Sequence, residues 1–495
     1  MKLSTFICTL IACSLIGCAF SRETIGGLPI DTNYLNVRKI LDERIKKNDS
    51  VVISTYSNTD KGLVLSLQCD AQYLQVFERS GSYDLNCSLS YSLKTNVTLN
   101  FTSDYPVSVD FSAPYSLSLP ASEDVVYRDI VLPLTIDQIG DSYIVTNAII
   151  GQDEYVAVGL RMLVLRKGGI TDLLFRIGLI FLLILATFFM GCEIEIDIIK
   201  SYLRRPIGPL LGFLCQFIVM PAMSIALAKL TPINPAFGFG LFISGCCPGG
   251  GASNVWTRLL GGDLNLSITM TLFSSVAALG MLPLLLFIFS RFFTAIDTSA
   301  VPYGPIVVTL LYLFFPIIAG LLIRHFRPNW ADKLKRGVRP TSCIFLIYVI
   351  LFGTLTNLSI FRLMGRYPLL IAVGGALPTL GYLFGFLAAL ICRRPWPVIT
   401  AISVETGVQN VGIAILILIY AIPQPQGDLG AVMPIIISLT TPPFLLVWFI
   451  VRCIVVRRKK AKQNTEEGVF ESTENGDAES SDEGSSESAK KDASL

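Results

Sequence analysis

The chain has 495 residues, 52% of them hydrophobic, and its mean hydropathy of +0.61 excludes an ordinary soluble protein. The formal net charge of +2 says little, because charged residues crowd 1–167 and 456–495 and leave the middle nearly bare. That division predicts a soluble head, a membrane domain and a polar tail.

Residues 1–19 open with Lys2, run apolar from Leu3 to Ile16 and end in Gly17-Cys18-Ala19. The run is short for a span and suits a secretory signal peptide cut after Ala19. The alternative is a first membrane anchor. Leu15-Ile16-Gly17-Cys18 also loosely resembles a bacterial lipoprotein box, against which the glycosylation sequons below argue.

Residues 20–167 alternate with period two. Leu85, Cys87, Leu89, Tyr91 and Leu93 share one face, Asp84, Asn86, Ser88, Ser90, Ser92 and Lys94 the other, and Val97, Leu99 and Phe101 continue the apolar parity. Half-buried antiparallel strands broken by Pro106, Pro114, Pro120 and Pro133 predict an extracellular β-sandwich-like domain. Sequons stand at Asn48, Asn86, Asn96 and Asn100, the last three on the polar face. Acceptors must be exposed in an oxidising compartment, which agrees with a signal peptide. Cys69 and Cys87 both fall on the apolar parity, so a Cys69–Cys87 disulfide is the natural inference, with two buried free thiols as the alternative. No catalytic triad, metal cluster or phosphate loop is legible in this head, which points away from an enzyme.

From Asp172 the sequence holds nine hydrophobic segments, roughly 172–192, 206–230, 236–260, 266–290, 305–324, 341–360, 367–391, 396–422 and 429–452. Each is near the 20 residues that a bilayer core requires, so a nine-span α-helical polytopic membrane protein is expected from 168 to 456. With the head outside, the inner loops collect Lys200, Arg204, Arg205, Arg258, Arg324, Arg327, Lys333, Lys335, Arg336, Arg339, Arg393 and Arg394, against Lys229, Arg291, Arg362 and Arg366 outside. That bias places the head outside and the C-terminus in the cytoplasm; the plasma membrane is the expected location. Residues 457–495 form the tail, and from 463 they are Ser, Glu, Asp, Gly and Lys with little apolar content, predicting disorder.

Two of the segments are broken by glycine and carry polar groups. The first reads Ser244-Gly245-Cys246-Cys247-Pro248-Gly249-Gly250-Gly251-Ala252-Ser253-Asn254, and the second Ser403-Val404-Glu405-Thr406-Gly407-Val408-Gln409-Asn410. A carboxylate at mid-span costs about 2.5–3.5 kcal/mol on insertion scales, so Glu405 marks a functional site. Interrupted spans in corresponding halves point to an ion-coupled transporter with a midplane site. Glu405 and Gln409, four apart, would share a helix face, with Gly407 able to unwind between them. Ser267 and Thr271 repeat the spacing, while Ser253, Asn254 and Gln216 add hydroxyl and amide oxygens. Such oxygens around one carboxylate suit a hard monovalent cation such as Na⁺, whereas Zn²⁺ would want Cys or His. Gly249-Gly250-Gly251 lacks the Gly-Lys-Ser/Thr of a nucleotide loop, which disfavours an ATP-driven pump. Nucleic acid is not an expected partner; the lipid bilayer is.

These residues resemble the sodium/bile acid cotransporters over about 172–455. The resemblance rests on Cys246-Cys247-Pro248-Gly249-Gly250 through Ser253-Asn254, Gly262-Asp263-Leu264-Asn265-Leu266-Ser267, Ala278-Leu279-Gly280-Met281-Leu282-Pro283 and Glu405-Thr406-Gly407-Val408-Gln409-Asn410. It implies a core domain beside a panel domain, inverted repeats, and two broken helices crossing beside two sodium sites. One site would use Ser253, Asn254, Ser267, Thr271 and Glu405. The other would use Gln216, Glu405, the carbonyls of Thr406 and Val408, and Gln409. Asn410 and the Gly249–Gly251 backbone would meet the substrate, an amphipathic organic anion such as a bile acid or sulfated steroid. Better-known members read Cys-Ser-Pro-Gly-Gly-Asn-Leu-Ser-Asn, so Cys247, Gly251 and Ala252 depart from the pattern and put the substrate in doubt. A receptor or scaffold with a transporter-derived membrane domain is the competing reading.

Overall fold

The computed structural model describes residues 37, 40–47, 51–58, 61–70, 74–106, 108–166, 168–204, 206–293, 303–356, 365 and 368–488. The expected signal peptide, the sequon at Asn48, and the loop cations Arg205, Arg362 and Arg366 lie outside them. The chain divides into two compact units; Ser14–Thr441 holds both sheets and the site, and Pro442 onward belongs to the other.

Among the described residues eleven strands build the head: β1 Ile45–Lys47, β2 Val51–Asn58, β3 Leu63–Asp70, β4 Gln75–Phe77, β5 Gly81–Leu93, β6 Val97–Ser103, β7 Val109–Phe111, β8 Tyr115–Leu119, β9 Ser122–Ile136, β10 Gly140–Ile150 and β11 Asp153–Leu165. They form a six-stranded sheet, β1-β2-β3-β5-β9-β7, and a five-stranded sheet, β4-β11-β10-β6-β8. The parity read from sequence is the burial observed: Leu85, Cys87, Leu89, Tyr91 and Leu93 point inward from β5. They meet Leu99, Phe101, Ala148, Leu160 and Met162 of the other sheet in one apolar core, which makes the head a two-layer β domain. Cys69 and Cys87 stand opposite each other on β3 and β5 with Cα atoms 4.5 Å apart, and are bonded. Asn86 and Asn96 are exposed and Asn100 half-exposed, as their parity requires. The β10–β11 hairpin pairs Ile150 with Asp153 and needs Gly151 at φ 63°, left-handed backbone that glycine adopts without a Cβ clash.

The helical part contains α1 Ile170–Glu193, α2 Ile196–Arg204, α3 from Ile207 to Leu230, α4 Pro235–Cys246, α5 Ala252–Leu259, α6 Leu264–Phe289, α7 Tyr303–Phe326, α8 Pro328–Leu334, α9 Val338–Thr356, α10 Pro368–Ile391, α11 Trp396–Gly407, α12 Val411–Ala421 and α13 Gln426–Ser488. Among the described residues six helices are long and apolar enough to cross a membrane: Leu173–Glu193, Ile207–Leu230, Leu264–Phe289, Tyr303–Phe326, Pro368–Ile391 and Gln426–Arg457. The expected broken segments 236–260 and 396–422 are pairs of short helices, α4/α5 and α11/α12, while α9 occupies much of 341–360. The backbone of 463–488, expected to be disordered, continues α13; the Lys, Ala, Gln and Glu of 459–467 are good helix formers, and nothing in the Gly- and Ser-rich composition of 468–488 explains the continuation.

A long helix, a broken pair and a second long helix recur twice, as α3, α4/α5, α6 and as α10, α11/α12, α13. Small residues let these elements touch backbone to backbone, which is how helices pack where hydrocarbon supplies no hydrophobic drive. A Cβ on Gly240 of α4 would lie 2.0 Å from the Gly430 carbonyl of α13. One on Gly191 of α1 would lie 2.3 Å from the Ile317 carbonyl of α7.

Candidate functional site: the crossing of the two broken helices

Each break leaves a helix C-terminus and a helix N-terminus facing each other inside the bundle. Backbone groups freed in this way must find partners, since unpaired ones cost several kcal/mol in hydrocarbon. The two breaks satisfy each other. Gly250 N–H donates to Val408 O at 3.0 Å and Asn410 N–H to Pro248 O at 3.0 Å, closing a short antiparallel bridge between Gly249 and Gln409. Gly249 N–H donates to Ser274 Oγ at 3.3 Å.

Glu405, 3% exposed, lies in the last turn of α11. Its Oε2 accepts from Ser253 Oγ at 2.6 Å and Ser267 Oγ at 3.0 Å, and its Oε1 from Thr271 Oγ1 at 2.6 Å. Asn254 Oδ1 lies 2.9 Å from Ser267 Oγ and 3.4 Å from Thr271 Oγ1, and Ser253 Oγ lies 3.5 Å from Thr271 Oγ1. Each hydroxyl carries one hydrogen. Thr271 Oγ1 also lies 3.0 Å from the Ser267 carbonyl, so three hydrogens serve seven close oxygen contacts, and Thr257, which donates to Ser267 at 3.3 Å, adds none to the rest. The cluster holds more lone pairs than protons. Asn254 turns its oxygen into it and leaves its buried Nδ2 without a partner. None of the described ion pairs includes Glu405. Such a proton-poor oxygen cage around an unpaired carboxylate is the donor set of a hard cation.

A second group adjoins the first. Gln216 sits in a π-helical turn, Cys215–Val219, that interrupts α3 and carries its side chain to the crossing. Its Nε2 donates to Gln409 Oε1 at 2.8 Å and Cys247 O at 2.5 Å, and its buried Oε1 has no partner. Gln409 Nε2 donates to Thr406 O at 2.8 Å.

Every residue expected at the two sodium sites is thus at the crossing, with one difference of arrangement. Glu405 and Gln409 do not share a helix face, because α11 ends at Gly407 and Gln409 is in the extended link. The carboxylate serves the Ser253 cluster and the amide serves Gln216. Val408 O is taken up by Gly250. Asn410 is half-buried and its Oδ1 caps α12 by accepting from Ile413 N–H at 3.3 Å. The three glycines differ. A Cβ on Gly249 would lie 2.2 Å from Glu405 Oε1 and one on Gly250 2.9 Å from Gln409 O, whereas Gly251 has only Met190 Sδ, at 3.8 Å, within reach. The π turn, Thr257 and Ser274 went unread in the sequence. A π turn has no composition signal, and Thr257 and Ser274 look like ordinary helix hydroxyls until the crossing brings them in.

The membrane-length helices and the paired breaks define an integral membrane protein of the broken-helix class. Residues 180–362 match the Sodium Bile acid symporter family. The ileal sodium/bile acid cotransporter of Cricetulus griseus is 32% identical over 285 residues, covering 58% of this chain and 81% of that protein. The sodium-dependent organic anion transporter of Bos taurus is 33% identical over 252 residues, 50% of this chain and 65% of the other. The P3 protein of Mus musculus is 35% identical over 250 residues, 50% of this chain, and the match spans about half of its length, 52%. The chain belongs to the sodium/bile acid symporter family, a family of symporters and not of enzymes.

Proposed function

We propose that the chain is a sodium-driven symporter of an amphipathic organic anion such as a conjugated bile acid or a sulfated steroid. The carrying observation is the cluster around Glu405, where one buried carboxylate and more oxygens than hydrogens meet at the crossing. In this reading Ser253, Asn254, Ser267, Thr271 and Glu405 hold one Na⁺. Gln216, Glu405, Gln409 and the carbonyls of Thr406 and Val408 hold a second, for which Gln216 Oε1 is a ready ligand. The anion binds beside them, drawn by the sodium charge and the helix N-termini at Ala252 and Val411. Asn410 and the open side of Gly251 contact it, with Gly249 and Gly250 contributing backbone only. Where better-known members carry Asn and Leu, this chain has Gly251 and Ala252, so its own side chains take up less space at that point.

The same reading gives the chain a signal peptide (1–19), an extracellular glycosylated head (20–167), a nine-crossing transporter (168–456) arranged as core and panel with inverted repeats, and a cytoplasmic tail (457–495) at the plasma membrane. The Arg and Lys bias of the loops supports that orientation. The test is uptake into proteoliposomes of conjugated bile acids, sulfated steroids and small carboxylates under an inward Na⁺ gradient and under K⁺. Sodium-dependent accumulation of the bulky anions is expected. Equal uptake under both ions, or none for the whole panel, refutes the proposal.

A further inference from the structure

The head is built into the helical bundle through the turn between β9 and β10. Ile139, at that turn, is buried in the same apolar cluster as Ile233, Phe237, Ile422 and Leu429, and Tyr105 packs on that cluster from the next loop. Two residues on, Asp141 is buried as well. Arg161 grips both of its oxygens, Nε to Oδ1 at 3.0 Å and a terminal nitrogen to Oδ2 at 2.7 Å. Gln426 Nε2 then donates to Oδ2 at 3.0 Å. Gln426 is the first residue of α13, so the carboxylate lies at the N-terminus of a long helix, where the helix dipole favours an anion. The turn is braced within the head: Ser108 Oγ donates to Gln138 O at 2.7 Å, and Tyr143 OH donates to Asp42 Oδ1 at 2.6 Å.

What the head grips leads directly to the ion cluster. Gln426 follows a short link from the end of α12, and that link is fastened by Gln424 Nε2 to Ile419 O at 3.3 Å and by Asp428 N–H to Gln424 Oε1 at 2.8 Å. α12 has 11 residues, a rod of about 16 Å. Its other end is Asn410, next to Gln409 and the crossing.

We propose that the head is a lever on the broken-helix half: the Asp141–Gln426 joint and the Ile139 plug make it move with α12 and α13. Occupancy or strain at the head changes sodium affinity at the crossing, and sodium changes the head in return, because a coupling free energy is reciprocal. The readout through sodium rests on the transport reading above; the joint itself does not.

The test uses the full chain in nanodiscs with two measurements, hydrogen exchange of 137–143 and 422–429, and the NaCl concentration giving half-maximal thermal stabilisation over KCl. Gln426→Leu removes the donor from the helical side and leaves the Asp141–Arg161 pair and the head fold alone; Ile139→Ser removes the plug. In the wild-type protein both segments should be protected, more in NaCl than in KCl. Both variants should expose 137–143 and move the sodium midpoint by about fivefold or more. An unchanged midpoint with the turn exposed makes the head a passive rider and overturns the proposal, as does an unprotected turn in the wild-type protein. If the wild-type protein shows no sodium stabilisation at all, the ion reading fails instead. The joint is then judged by exchange at 422–429, where loss of protection in both variants supports the lever and unchanged protection refutes it.

Discussion

Replacing Glu405 by Gln tests the ion cluster most directly, because it keeps the side-chain shape and removes the charge. The carboxylate is buried, accepts three hydroxyl hydrogen bonds and has no basic partner among the described ion pairs. At a separation of about 4 Å and an effective dielectric of about 20, a carboxylate and a monovalent cation attract by about 4 kcal/mol. Losing that attraction should weaken sodium binding by about three orders of magnitude. The wild-type protein at a sodium concentration of about 100 times Kd should gain about 2.7 kcal/mol of stability. The variant should gain nothing measurable over the same range. In KCl the sign reverses: removing an uncompensated buried charge should leave Glu405→Gln no less stable than wild type. The assay is thermal unfolding in detergent across NaCl and KCl titrations, paired with uptake. A variant whose sodium midpoint stays within about tenfold of wild type would refute the placement of the cation at Glu405.

Gly249→Ala should weaken sodium binding about ten- to a hundredfold, since its Cβ, 2.2 Å from Oε1, pushes the carboxylate off Thr271 and costs a charge-assisted hydrogen bond of about 1.5–3 kcal/mol. Gly251→Ala, with its nearest neighbour at 3.8 Å, should leave the sodium midpoint unchanged, and an equal loss in both variants would discredit the geometry. Asn254→Asp cannot donate hydrogens to Ser267 or Thr271, so retained sodium stabilisation is expected if Oδ1 is a cation ligand; its abolition would mean that the amide serves as a donor. Mutating Asn48, Asn86, Asn96 and Asn100 together should abolish the mass shift on glycosidase treatment, and a persisting shift would place the glycans elsewhere.

Much of this was legible because it is local. Period-two parity located β5 and β6 and put Cys69 and Cys87 on the inner face. Gly249–Gly251 and Gly407 located the two breaks, and Glu405 announced itself by being a carboxylate in an apolar stretch. What stayed hidden depends on contacts between distant residues. Ser253 and Glu405 are 152 positions apart, and Gln216 and Gln409 are 193 apart. Nor did the sequence disclose that Gly249 makes room for the carboxylate and Gly250 for the opposing link. The seating of Asp141 on Gln426, 285 positions away, leaves no trace in either local sequence.

The breaks and the cation cluster are one construction. An interrupted helix in a membrane frees amides and carbonyls that need partners, and the partner of each break is the other break. The first link approaches this closely because Gly249 and Gly250 lack side chains: a Cβ on Gly250 would lie 2.9 Å from Gln409 O and one on Gly249 2.2 Å from Glu405 Oε1. The same approach brings Glu405 from one break within reach of Ser253 from the other, and α6 adds Ser267 and Thr271. A carboxylate ringed by hydroxyl and amide oxygens with too few hydrogens is unstable alone, so a bound cation relieves charge and lone-pair repulsion together. On the proposed reading a cation bound there would hold α5, α6 and α11 at one point. On that same reading, its departure would loosen the crossing as a whole, because α5, α6 and α11 would lose their common point of attachment.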